Sequence, residues 1–111
     1  MSSSENDSDE DSNNQHNEDS LLLYNAAHDG DLEKCVEAIK NGASPDYQKH
    51  NGYTPLHISS QEGHIDIVKY LAVKCRCNID IQTNDHDTAL IRAVRKGHTD
   101  VVQVLVENGG R

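Results

Sequence analysis

The sequence predicts an all-α fold in which short helix-turn-helix units repeat along the chain. Three segments, 23–43, 56–77 and 90–110, superpose when the chain is shifted by 33 and then by 34 residues. In each segment a glycine separates two short helical patterns; these glycines are Gly30, Gly63 and Gly97. Self-similarity at this period indicates supersecondary units that stack on one another instead of sharing one mixed core.

The middle copy shows how each unit is built. Thr54 is a good N-cap and Pro55 a good first helical residue, so a helix is expected to begin there. Gly63 can take the left-handed conformation that ends this helix and turns the chain back. A second helix follows, with apolar residues at three- and four-residue steps: Ile65, Val68, Leu71 and Ala72. Matching apolar faces occur in the other copies: Leu32, Cys35, Ala38 and Ile39 in the first, and Val101, Val102 and Leu105 in the third.

The motifs of the middle copy are the most specific in the chain. Residues 52–57 read GYTPLH, and residues 63–68 read GHIDIV. In these motifs the middle copy closely resembles an ankyrin repeat. The resemblance covers residues 20–111 and implies an ankyrin-type α-solenoid in which β-hairpins or turns connect the helix pairs. The implied repeats are 20–49, 50–83 and 84–111.

The flanking copies depart from the family pattern. The third has Ala89 and Ile91 where proline and histidine are usual, and the first has Leu22 and Tyr24 there. Such weakening suits an end repeat. The third repeat is expected to be incomplete or to end on an apolar face, because its last helix is rich in aliphatic residues, namely Val101, Val102, Val104, Leu105 and Val106.

Two local departures from the repeat carry expectations. Gly52 suits a turn tip that needs a positive φ, whereas the third copy has His86 there, and we expect a looser turn at His86. One extra residue within 74–78 explains the longer second spacing, and Cys75 replaces the usual glycine after the second helix. We expect that junction to be distorted.

Residues 1–19 differ from the repeats in composition. They contain seven acidic residues and no lysine or arginine, and contribute −7 to the net charge of −9. A segment this polar cannot build a core, so a disordered acidic tail is expected. Ser4 and Ser8 stand beside acidic residues and are candidate phosphorylation sites. The competing interpretation is that an acidic, serine-rich composition produces such matches by itself.

Several functional classes are disfavoured. The sequence has no apolar run long enough to cross a bilayer and no signal peptide, so an intracellular protein, cytoplasmic or nuclear, is expected without membrane insertion. Cys75 and Cys77 have no second pair at zinc-site spacing, and no nucleophile or phosphate-loop motif occurs, so no metal, no cofactor and no enzymatic activity are expected. The near-neutral repeat region, which lacks Trp and Phe, argues against nucleic-acid binding. His57, His64 and His98 occupy positions where the family uses histidine to hydrogen-bond turns between repeats.

The favoured function is a non-catalytic module, a scaffold or adaptor, that binds a protein partner. In the family, turns and first helices form a concave contact surface. By position in the repeat, the contact residues are His50, Asn51, Tyr53, Gln61, Glu62, Asn84, Asp85, Asp87, Arg95 and Lys96. Tyr53 is the expected anchor, although a hairpin tyrosine packing on its neighbour is equally compatible. The basic cluster of Arg92, Arg95 and Lys96 is either a solvated helix face or a contact for an anionic protein or for the acidic tail.

A second hypothesis comes from another class. The chain could be the N-terminal targeting or autoinhibitory part of a larger enzyme, such as a kinase, an acyltransferase or a ubiquitin ligase. The apolar last helix favours this hypothesis. A monomer is expected, and self-association through the last helix is the alternative if the chain is complete.

Overall fold

The computed structural model describes residues 18–109. Helix α1 covers residues 18–29. The remaining helices are α2 Leu32–Lys40, α3 Pro55–Glu62, α4 Ile65–Lys69 with a π-helical turn Tyr70–Lys74 that continues it, α5 Ala89–Lys96 and α6 Thr99–Glu107. The part of the chain described contains no β-strand, so turns alone connect the helix pairs. This is the predicted all-α repeat fold.

The N-terminal boundary differs from the expected one at two residues. Glu18 and Asp19, counted with the acidic tail above, already belong to α1, and Asp19 and Ser20 are buried. The Ser20 hydroxyl accepts a hydrogen bond from the Ser44 backbone N–H at 2.9 Å, which ties α1 to the end of the first repeat. Residues 1–17, with the candidate phosphorylation sites Ser4 and Ser8, lie outside the described residues.

The three glycine pivots have the predicted conformation. Gly30, Gly63 and Gly97 have φ of 82°, 79° and 77°, in the left-handed region that favours glycine. The same backbone hydrogen bond closes each pivot: Asp31 N to Ala26 O at 2.9 Å, His64 N to Ser59 O at 2.9 Å, and His98 N to Ala93 O at 3.0 Å. The same glycine turn, closed by the same backbone hydrogen bond, therefore folds the second helix of each repeat against the first.

One continuous core joins the repeats. First helices pack side by side, with α3 against α5, and second helices do the same, with α4 against α2 and α6. The largest fully buried side chains include Leu23, Leu56, Ile67, Leu71, Leu105, Val68 and Val101. Four residues of the predicted apolar faces are only half-buried and pack against this core, namely Leu32, Ile39, Ile65 and Val102. Ile67 is fully buried, whereas Ile65, the first residue of α4, is only half-buried.

The predicted distortion after the second helix of the middle repeat is confirmed. The π-helical turn Tyr70–Lys74 accommodates the extra residue. Arg76 has a φ of 51°, and the Cys77 backbone N–H returns to the Leu71 carbonyl at 3.1 Å. The insertion is thus absorbed within one turn, and the following repeat keeps its register.

The prediction of a looser turn at His86 is wrong. His86 has a φ of 68°, and its N–H donates to the Thr83 carbonyl at 2.8 Å, matching the 2.7 Å bond from Gly52 N–H to the Lys49 carbonyl. The Thr83 hydroxyl also accepts from the N–H groups of Asp85 and Asp87, each at 3.2 Å. These local bonds hold the left-handed conformation that histidine otherwise adopts with difficulty.

Candidate interaction surface

The turns of the second and third repeats are bonded directly to each other. The Asn84 side-chain amide donates to the His50 carbonyl at 2.9 Å, and its backbone N–H donates to the Asn51 carbonyl at 3.1 Å. A Cβ on Gly52 would lie 2.7 Å from Asn84 N, so the turns could not approach this closely with a larger residue there. Four of the predicted contact residues, His50, Asn51, Asn84 and Asp85, are exposed on these turns. Asn84 therefore positions the turns, the Asn51 amide oxygen accepts from the Tyr53 backbone N–H at 3.0 Å, and His50 and Asp85 are exposed to solvent.

Below the turns lies a group of five side chains that we call the arginine cluster. Gln61 lies on α3, Arg92 and Arg95 lie on α5, and Tyr53 and Asp87 lie just before these two helices. The Gln61 amide oxygen accepts from Arg92 Nη2 at 2.6 Å and Nε at 3.0 Å. One Asp87 carboxylate oxygen, Oδ2, accepts from Arg92 Nη1 at 3.1 Å and from Arg95 Nη1 at 2.9 Å. The Arg92 guanidinium also lies 5.7 Å from the centre of the Tyr53 ring, within the range of a cation–π contact.

The structure places the remaining predicted contact residues at different depths. Glu62 and Lys96 are exposed at the ends of α3 and α5, while Tyr53 and Gln61 are half-buried. Asp87 is only 6% exposed, so it can meet a partner only through the arginines that cover it. Sequence reasoning placed Arg92 in a basic cluster but not among the contact residues. The available signal was that Arg92 and Arg95 are three residues apart on one helix and follow Asp87 by five and eight residues.

His57 fixes the base of this surface. Its Nδ1 accepts from the Thr54 backbone N–H at 3.1 Å and lies 2.8 Å from the Thr54 hydroxyl. Its Nε2 lies 2.9 Å from the Asp87 carbonyl oxygen, which can only accept. His57 is therefore neutral and protonated at Nε2. Burial is the main reason that its pKa falls below the ordinary value.

The other two repeat histidines also bridge neighbouring repeats, as predicted. His64 Nε2 lies 3.0 Å from the His28 carbonyl, and His98 Nε2 lies 3.0 Å from the Gln61 carbonyl. Each carbonyl belongs to the last turn of the preceding first helix, just before the glycine pivot. The bridge from His98 thus also orients the backbone of Gln61 under the arginine cluster.

The structure offers little reactive chemistry in the residues it describes. Burial raises the pKa of the Cys35 and Cys77 thiols to about 12, which keeps them protonated and poorly nucleophilic. Within residues 18–109, no three His, Cys, Asp or Glu side chains group as metal ligands would. None of the helices in this range combines the length and the apolar character needed to cross a bilayer.

Comparison with known proteins agrees with the fold. A family model described as ankyrin repeats, in three copies, matches residues 22–111. The chain is 35% identical over 102 residues to the protein fem-1 homolog CG6966 of Drosophila melanogaster, covering 80% of this chain and 15% of that protein. It is 32% identical over 93 residues to the 26S proteasome non-ATPase regulatory subunit 10 of Dictyostelium discoideum, covering 83% of this chain and 39% of that protein. It is 31% identical over 84 residues to the mitochondrial liver isoform of glutaminase from Rattus norvegicus, covering 76% of this chain and 14% of that protein.

The chain thus spans well under half the length of each of these relatives. What it shares with them is the repeat unit, and repeats of this kind generally mediate contacts between proteins. The recurring glycine pivots, the bridging histidines and the three matched copies lead to one conclusion: the chain belongs to the ankyrin repeat family.

Proposed function

We propose that this chain is a non-catalytic scaffold or adaptor that binds a protein partner on its turn-and-first-helix face. This face consists of the exposed turns of the second and third repeats together with the arginine cluster. The observation that carries the proposal is the set of direct bonds across the repeat boundary, from Asn84 to His50 and Asn51 and from Arg92 to Gln61. A surface already held in place loses little conformational entropy when a partner binds.

Tyr53 is the anchor of the proposed contact. Its hydroxyl lies 3.4 Å from the Gln61 amide oxygen, and its ring centre lies 5.6 Å from that of His57. The ring therefore packs on its own repeat and still keeps part of its surface open to a partner. Tyrosine and arginine are enriched where binding energy concentrates, and here both lie on the same face.

Site-specific photocrosslinking tests which face meets the partner. A photoreactive amino acid replaces exposed Asp85 at the turn tip, and in a matched protein it replaces exposed Lys69 on α4. We expect covalent adducts with proteins of native lysate at position 85 and few at position 69. Equal adducts at both positions, or adducts only at position 69, would contradict the proposal.

A second function is supported by the relatives. One of them is a glutaminase, of which the chain spans 14%, and this favours the hypothesis that the repeats serve as the targeting or autoinhibitory part of a larger enzyme. An antibody raised against the repeats, used on denatured extract of the native cell, tests it. A band near the 12.3 kDa of this chain supports the adaptor, whereas a larger band alone, in which mass spectrometry finds peptides of an enzyme domain beside the repeats, supports the enzyme hypothesis.

The proposed setting is intracellular, cytoplasmic or nuclear, with the chain acting as a monomer. The alternative, self-association through the last helix, is favoured by Val106 on α6, which is 55% exposed. Sedimentation velocity of the wild type and of Val106→Ser distinguishes the two. A single monomeric species in both supports the monomer, and a larger wild-type species lost in the variant supports self-association.

A further inference from the structure

The cations of α5 stand out against the charge of the rest of the chain. Residues 18–109 contain 14 acidic and 9 basic side chains, yet three of the basic ones, Arg92, Arg95 and Lys96, lie within five residues on α5. Cations near a helix C-terminus interact favourably with the helix dipole. That effect accounts for a basic last turn, but it does not account for Arg92, which lies in the first half of the helix.

Arg92 and Arg95 differ in exposure and in the number of acceptors that their guanidinium groups contact. Arg92 is 20% exposed at its side chain and donates to both Asp87 and Gln61. Arg95 is 60% exposed and donates only to Asp87 in the part of the chain described here. One carboxylate therefore faces two guanidinium groups, and the remaining donors of Arg95 have no acceptor among residues 18–109. The group has one positive charge in excess.

We propose that this excess charge is the docking point for a carboxylate of an acidic partner segment. The inference rests on the proposed function, because it specifies the chemistry of the partner that meets the turn-and-first-helix face. The Nε and Nη2 donors of Arg95, which have no acceptor among residues 18–109, form a fork that can hold a carboxylate through two hydrogen bonds. Asp87 and Arg92 hold that fork in place, and Lys96 adds a second exposed cation one residue further on.

Carboxylate fits this group better than phosphate. The Asp87 carboxylate repels a singly charged carboxylate less than it repels a phosphate group with nearly two charges. Beside the arginines, the partly exposed Tyr53 ring offers apolar contact to the side chain next to the acid. The partner segment is therefore acidic with apolar residues interleaved.

Fluorescence anisotropy with the full chain tests the inference. The probes are a fluorescein-labelled peptide of alternating glutamate and leucine, the same peptide with glutamine for glutamate, and one with phosphoserine for glutamate. We expect the glutamate peptide to bind, the glutamine peptide to bind at least about tenfold more weakly, and raising the salt to about 0.5 M to weaken glutamate binding further.

Matched variants locate the site. Arg95→Gln is expected to weaken the glutamate peptide about three- to tenfold, while Lys69→Gln, which removes the same charge on α4, leaves affinity unchanged. Equal loss in both variants would reduce the effect to net charge and overturn the inference, as would no binding, equal binding of the glutamine peptide, or tighter binding of the phosphoserine peptide. If the Asp85 photocrosslinks persist in any of those cases, only the acidic-partner inference fails and the proposed function stands.

Discussion

The same glycine turn ends the first helix of the second and third repeats, but its surroundings differ. Gly63 lies at the junction with the third repeat, whereas Gly97 lies on a face of the third repeat, with Val94 and Val106, that no described residue covers and that we call the open face. At Gly63 an added Cβ would lie 2.7 Å from Cε1 of His98, whereas at Gly97 it would meet no atom of the described residues within 4 Å. The conformation is nearly the same, with φ of 79° and 77°. Glycine is therefore required by both conformation and space at the junction, but by conformation alone at the open face.

Apolar positions show the same contrast. Position 27 of the first repeat and position 60 of the second are equivalent to position 94 of the third. Ala27 and Ser60 are 0% exposed, whereas Val94 is 58% exposed. Likewise Ala72 is 7% exposed and its counterpart Val106 is 55% exposed. Burial at these positions is thus supplied by the next repeat, as expected for a fold stabilised by nearest-neighbour contacts.

The largest expected effect is at the junction. Gly63→Ala must place a side chain in a left-handed conformation and also displace the ring of His98, which breaks the bond from Nε2 to the Gln61 carbonyl. We expect a loss of about 2–4 kcal/mol in the free energy of unfolding, measured by urea denaturation. A loss below about 1 kcal/mol would mean that the ring moves aside freely.

Gly97→Ala is the matched variant at the open face. The new methyl group meets no described neighbour, so only the conformational cost remains, about 1 kcal/mol. The same urea titration measures it. If both alanine variants lost the same stability, the contrast between a covered and an open pivot would be wrong.

Ser60→Ala should raise stability, because the Ser60 hydroxyl is buried without a hydrogen-bond partner among residues 18–109. The equivalent residue of the first repeat is already Ala27. Removing the unsatisfied hydroxyl is expected to gain about 1 kcal/mol. Val94→Ala, at the same position on the open face, should change the free energy of unfolding by less than about 0.5 kcal/mol. A loss of stability in Ser60→Ala would indicate an unseen partner for the hydroxyl.

The smallest of these expected effects is a dependence of the free energy of unfolding on mildly acidic pH. The folded pKa of His57 lies below the ordinary value of 6.5, so between the two values the unfolded chain binds a proton that the folded chain does not. Stability therefore falls as the pH is lowered through 6.5. Between about pH 7.5 and pH 6 this contribution is below about 1 kcal/mol.

The His57→Gln variant isolates that contribution, because glutamine can donate and accept but does not titrate in this range. Thermal unfolding at the two pH values should show a shallower pH dependence in the variant than in the wild type. An identical slope would contradict a neutral His57 at the junction.

Local patterns predicted the repeat unit well. Thr54 caps α3, Gly63 ends it, and the extra residue before Cys77 distorts the backbone as expected. These features depend on neighbours within a few residues along the chain. The resemblance to ankyrin repeats implied that the histidines would hydrogen-bond turns between repeats, but only the structure shows which carbonyls they reach.

The arginine cluster could not be predicted in the same way. Arg92 bonds to Gln61, 31 residues earlier, and that contact exists only once α3 and α5 are packed in register. From the sequence, Asp87 is expected to be an exposed turn residue, but in the structure two arginines cover it. The His86 turn failed as a prediction because the Thr83 hydroxyl stabilises it, which residue preferences at position 86 do not reveal.

Affinity capture with two tyrosine variants tests the central claim most directly. Tyr53 and Tyr70 are both half-buried and packed against the core, but Tyr53 lies on the turn-and-first-helix face and Tyr70 on the second-helix side. Each is changed to alanine, and circular dichroism verifies that both variants fold. The account predicts that Tyr53→Ala loses protein partners from native lysate that the wild type and Tyr70→Ala retain. Retention by Tyr53→Ala with loss by Tyr70→Ala would place the binding face on the second helices and contradict the account.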